Sequence, residues 1–123
     1  MRRFFSDGQS DRTNLTGANL TGAVMAGSNN SKATFAGANL SNANLGPADL
    51  LDSADKPTGR EWRTNLTEAD FTGSDLTGAN LRDALIAGAN FTGAVLTDTR
   101  FGEADISGVI IEKSTAARIM GVA

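Results

Sequence analysis

A large apolar residue returns every five positions through the second half of this chain, at Leu66, Phe71, Leu76, Leu81, Ile86, Phe91, Leu96, Phe101 and Ile106. Two residues ahead of each stands a small one: Thr64, Ala69, Ser74, Ala79, Ala84, Ala89, Ala94, Thr99 and Ala104. A period of five fits neither a helix, at about 3.6, nor a flat strand, at about 2. Self-similarity at a fixed spacing decides the architecture before any single element is assigned. The first half carries the same pattern, with centres Leu15, Leu20, Met25, Asn30, Phe35, Leu40, Leu45 and Leu50. Asn30 is the one polar centre and must find hydrogen-bond partners or lie near an open end.

The five positions read small, Asn/Asp, large, Ser/Thr, Gly. Small and large are two apart, so in extended chain both point inward. An Asn or Asp between them suits a local hydrogen bond to backbone at a corner. Gly at the last position (Gly17, Gly22, Gly27, Gly37, Gly73, Gly78, Gly88, Gly93, Gly108) suits a tight turn with positive φ. Each repeat therefore buries one edge and turns one corner, and its backbone must pair with coils above and below.

Leu50 to Leu66 is sixteen residues, so the register slips. Residues 52–63, charged and containing Pro57-Thr58-Gly59, read as a loop inserted into the stack. The rival is a single-residue bulge followed by repeats centred on Lys56 and Glu61, at the cost of burying two charges. Residues 1–12 form an N-terminal connector in which Phe5 keeps the register and is expected to cover the lower end of the core. Residues 113–123 read as a short capping helix, with Ser114 as N-cap and Gly121 at its end.

Ala18-Asn19-Leu20-Thr21-Gly22, Ala38-Asn39-Leu40-Ser41-Asn42 and Ala79-Asn80-Leu81-Arg82-Asp83 resemble the A(D/N)LxX pattern of the pentapeptide-repeat family, over residues 13–112. The resemblance implies an all-β fold: a right-handed quadrilateral β-helix, four repeats to a coil, with the C-terminal helical cap above it. With 52–63 as the only insertion, the expected ladders are Leu15, Phe35, Leu66, Ile86, Ile106; Leu20, Leu40, Phe71, Phe91, Ile111; Met25, Leu45, Leu76, Leu96; and Asn30, Leu50, Leu81, Phe101. Val24 and Val95 are then expected on one wall and Leu85 on another.

The chain has no His and no Cys, which removes nucleophile–base sets, thiolate chemistry and most zinc sites. No catalytic residue, metal site or cofactor is expected. Asp83 and Glu103 should be neighbours, but beside Arg82 and Arg100 they read as a solvated mixed-charge face. Asp49, Asp52 and Asp55 would hold a metal only if their oxygens converged. No apolar run approaches the ~18 residues of a membrane span. A net charge of −3 argues against direct nucleic-acid binding.

The expected function is a non-enzymatic interaction or scaffold module, in the cytoplasm, with an unidentified protein partner. Arg60, Trp62 and Arg63 are candidate contact residues, because aromatic and Arg side chains anchor interfaces. Ile119, Met120 and Val122 are more apolar than a cap needs and are candidates for a homodimer through the C-terminal end. The alternative is a DNA-mimicking protector of a type II topoisomerase, a role some members of the family fill. Duplex DNA carries one charge per ~1.7 Å, so a rod about 20 Å tall would need on the order of ten acids on one side. Here 14 acids are offset by 11 Lys and Arg.

Overall fold

The computed structural model describes residues 13–111. Parallel backbone bridges join residues twenty apart, as in Asn14–Thr34, Asn19–Asn39 and Val24–Asn44 below, and Asn65–Leu85, Asp70–Asn90 and Asp75–Val95 above. Four five-residue repeats therefore make one coil of a solenoid. Each wall is one repeat wide, and no helix occurs among the described residues.

One repeat shows why the sequence takes this form. In Ala38–Asn42, the Ala38 N–H donates to the Phe35 carbonyl within the corner turn. Asn39 N–H donates down to Ala18, while Leu40 and Asn42 N–H donate up to Asp75 and Thr77. The Ser41 N–H, which faces outward, is taken by Asn39 Oδ1 at 3.0 Å. All five N–H groups are paired, and the Asn is needed because no carbonyl can reach the fourth. The residue two after each large one sits at positive φ, between +57° and +74°. Glycine adopts this freely, while Lys32, Asn42, Glu68, Asp83, Asp98 and Glu103 bear the strain of a side chain there.

Pro47 occupies that corner position after Leu45. Its ring holds φ near −65° and it has no N–H to give the coil above. The chain must leave the stack there, five residues before the expected loop. Strand β1 (Ala48–Leu51) pairs antiparallel with β2 (Pro57–Trp62), through Ala48–Trp62, Asp49–Glu61 and, after a bulge, Leu51–Pro57. The turn between them is held by Asp52, whose Oδ1 accepts the N–H groups of Ala54 at 2.8 Å and Lys56 at 3.0 Å. Residues 52–63 are thus not a loop standing alone but the tip and outer strand of a hairpin that begins at Pro47. Across it the bridge offset rises from twenty to thirty-six residues, as in Thr34–Asp70, so sixteen residues are inserted.

Leu50 is consequently a hairpin residue and not a core centre, and every ladder above it moves by one wall from expectation. The first wall stacks Leu15, Phe35, Phe71, Phe91 and Ile111; the second Leu20, Leu40, Leu76 and Leu96. The third stacks Met25, Leu45, Leu81 and Phe101; the fourth Asn30, Leu66, Ile86 and Ile106. Val24 lies on the third wall and Val95 on the second, so they do not share one. Leu76 and Leu96 do stack, the Leu76 N–H donating to the Val95 carbonyl at 2.8 Å. Residues 1–12 with Phe5, and the expected helix at 113–123, lie outside the described residues.

The core is a single column with Phe35, Phe71 and Phe91 at its centre. Their rings are parallel within 3° and 4.9 Å apart, the pitch of the coils. Phe101 on the opposite wall meets Phe91 edge-on at 6.0 Å. Asn30 is half-buried in the lowest described coil, donating to Ser28 Oγ at 2.7 Å, which itself donates to the Met25 carbonyl.

Phe71→Ala removes the middle ring of the stack and should cost about 3–5 kcal/mol, read as a shift in the urea midpoint followed by far-UV circular dichroism. Asn30→Leu should be neutral or stabilising in the same assay, because Ser28 keeps its bond to Met25 and the column gains an apolar side chain. A loss above about 2 kcal/mol would show that the Asn30–Ser28 pair is required.

Candidate interaction surface

On the regular walls the outward residues are largely used by the fold itself. Thr21, Ser41, Thr77, Thr92 and Ser107 donate their hydroxyls to the Asn or Asp Oδ1 two residues earlier, at 2.6–2.8 Å. The Thr77 hydroxyl, followed by its N–H, holds the Asp75 carboxyl below the usual aspartate range; burial opposes this and Ser41 adds to it. Asp105 is lowered in the same way by the Ser107 hydroxyl and N–H, against burial, with the Arg63 charge contributing. Asp83 faces Arg82 in an ion pair of 2.8 Å, so the Asp83–Glu103 neighbourhood is a charge-balanced edge. Among the described residues no three acidic side chains converge on a metal position.

The walls divide by charge. Across the first and second walls and the corners at either end of the second, the described residues include Asp70, Asp75 and Asp98 and no Lys or Arg. Arg82 and Arg100 stand on the third wall and Arg63 at its far corner, while Lys56 and Arg60 belong to the hairpin they flank.

The hairpin is where side chains are free. All six residues of β2 are exposed. Trp62 is 59% exposed, and Leu51 on β1 is 46% exposed. Arg60 and Trp62 alternate onto one face of β2 with Thr58. Glu61 pairs with Asp49 on the other. The expected contact residues Arg60 and Trp62 are thus brought together on one strand. Arg63 is not presented with them. Its Nε donates to the Asp83 carbonyl at 2.6 Å and an Nη to the Glu103 carbonyl at 3.4 Å. Ile119, Met120 and Val122 lie outside the described residues.

Two residues that no spacing rule singled out mount the hairpin. Thr64, fully buried, donates its hydroxyl to the Gly46 carbonyl at 2.7 Å and accepts the Gly27 N–H at 2.8 Å. That hydroxyl closes the gap where the coil opens. Gly27 is the seat: a Cβ there would meet Ala48 Cβ at 2.8 Å and Trp62 Cβ at 3.3 Å. The only sequence signals were Thr in place of Ala at position 64 and Pro in place of Gly at position 47.

A family model described as pentapeptide repeats, in eight copies, matches residues 12–50, 62–83 and 74–112. The first segment runs on through Leu50, where the backbone has already left the coil. HetL, a pentapeptide repeat protein involved in heterocyst differentiation regulation in the cyanobacterium Nostoc sp. strain PCC 7120, superimposes with a TM-score of 0.66 at 31% identity. The match covers 88% of this chain and 44% of HetL. A pentapeptide repeat protein of the Arabidopsis thaliana thylakoid lumen gives a TM-score of 0.63 at 27% identity, over 80% of this chain and 58% of its own. This chain therefore spans about half the length of these relatives. QnrB1, a plasmid-mediated fluoroquinolone resistance protein, reaches a TM-score of only 0.28 at 22% identity. A comparison with curated proteins finds no match.

The Asp75 geometry has a pH signature. A carboxyl held low in the fold adds stability that is present above the ordinary value of 3.8 and is lost as pH falls through the lowered one. The stability advantage of the wild type over Asp75→Asn should therefore be full near pH 7 and shrink by about pH 3, measured as the difference in urea midpoints.

Proposed function

The chain belongs to the pentapeptide-repeat family, and on that premise we propose that it is a non-enzymatic protein-interaction module whose contact element is the β1–β2 hairpin. One observation carries the reading: a lone tryptophan, 59% exposed, stands beside Arg60 on a hairpin mounted on a rigid solenoid. Trp and Arg are enriched among the few residues that dominate the binding energy of protein interfaces once a partner covers them. The regular walls, whose hydroxyls serve their own backbone, offer less. HetL is involved in regulating differentiation, and a regulatory protein contact in the cytoplasm is the corresponding role for this chain.

The finer features expected of the family belong to the same proposal: right-handed quadrilateral winding, a C-terminal cap over 113–123, and pairing of two copies through Ile119, Met120 and Val122. Protection of a type II topoisomerase by imitating DNA is the weaker reading. Arg63, Arg82 and Arg100 interrupt the third wall and its corner, where Asp83 and Glu103 stand.

The test compares the full chain with Trp62→Ala and with a variant in which residues 47–62 are replaced by Gly-Gly, each immobilised and exposed to extract from the native host. A specific partner should be retained by the wild type and lost from both variants. Equal retention by all three would move the contact to the walls or the ends. Rescue of gyrase supercoiling from ciprofloxacin that vanished with the hairpin would favour topoisomerase protection instead.

A further inference from the structure

Each repeat leaves two backbone groups outside the ladder: an N–H that the Asn or Asp side chain accepts, and the carbonyl of its corner residue. The corner carbonyls of Gly17, Gly37, Gly73 and Gly93 accept no hydrogen bond from any described residue, and the same holds at the other corners with one exception. At the corner between the third and fourth walls, the Asp83 and Glu103 carbonyls lie one above the other in consecutive coils. Arg63 donates to both, from two different nitrogens of one guanidinium. Consecutive coils are about 4.8 Å apart, and the planar guanidinium offers a separate nitrogen to each carbonyl across that gap.

We infer that Arg63 is a positioning residue that fixes the angle of the hairpin, and with it Trp62, against the upper coils. Thr64 ties the base of the hairpin to Gly27 in the coil below. Arg63 adjoins Trp62 in the chain and ties the same base to the two coils above. The hairpin's exit is thereby held to the coil below and to the two coils above, although β2 itself is exposed. A contact element held in this way enters a complex with little ordering left to do, which favours affinity. Arg63 contributes to recognition through Trp62, without touching the partner. The inference rests on the hairpin being the contact element, but its readout is the hairpin itself.

The chain has one tryptophan, so Trp62 reports without interference. Full-length wild type, Arg63→Ala and Arg63→Lys would be compared by amide hydrogen exchange, by fluorescence anisotropy and acrylamide quenching of Trp62, and by urea unfolding. In Arg63→Ala, exchange over residues 48–62 should rise roughly tenfold or more, since the bonds lost come from a charged donor. Anisotropy should fall and quenching rise, while exchange over residues 66–91 stays at the wild-type level. Arg63→Lys keeps the charge but offers one nitrogen to the two carbonyls where the guanidinium offers two, and should restore the hairpin's protection only in part. Unchanged hairpin exchange in Arg63→Ala would overturn the inference. So would an increase spread equally over the coils, which would make Arg63 a general stabiliser. Loss of partner binding in Trp62→Ala with no effect of Arg63→Ala on the hairpin would leave the contact role standing and remove this one.

Discussion

The whole solenoid depends on one backbone conformation repeated at every described corner except the one the hairpin occupies: a residue with φ between +57° and +74°, whose N–H points to the coil above. That single requirement ties together features that look separate. It explains the glycines, and it explains why the residue before each large one is Asn or Asp, since the corner turns one N–H away from the ladder and only a side chain can answer it. Val24, Leu85, Val95, Arg100 and Ile110 stand where that Asn or Asp would be, and they can be tolerated because the N–H they leave is on the outside, within reach of water. The apolar column is then narrow by construction. Its strength lies in continuity, each side chain packed between one above and one below, with Phe35, Phe71 and Phe91 giving the longest run.

The same requirement separates what could be read in the residues from what could not. The period of five, the inward pair of small and large residues, and four repeats to a coil were legible because every repeat states them again. The excursion was located but its start was misplaced. Leu50 has the right size at the right spacing, and spacing cannot tell a buried leucine from one on a hairpin. The decisive residue was Pro47, which forbids the corner that Leu50 would have required. A one-residue rule about φ outweighed a well-matched apolar position, and the assignment of every upper ladder to its wall followed from it.

The contact residues divide in a similar way. Trp62 and Arg60 were candidates by chemical type, and the strand alternation places them on one exposed face. Arg63 has the same chemistry and a different job. Its role follows from carbonyls twenty and forty positions further along the chain, which only the stacked coils bring to one edge. Thr64 and Gly27 were hidden for the same reason. Each conforms to the repeat, and what distinguishes them is a neighbour in another coil.

Thr64 also changes what the solenoid is as a material. Its hydroxyl bond to the Gly46 carbonyl, at 2.7 Å, ties together the two ends of the sixteen-residue excursion. The entropy of closing that loop is therefore met by the stack and depends only weakly on what lies between. The corner after Leu45 is a socket, into which a different segment could be spliced without the coils above or below registering the exchange. Sequence drift, or a designer, can alter the displayed segment while the rod that carries it stays the same.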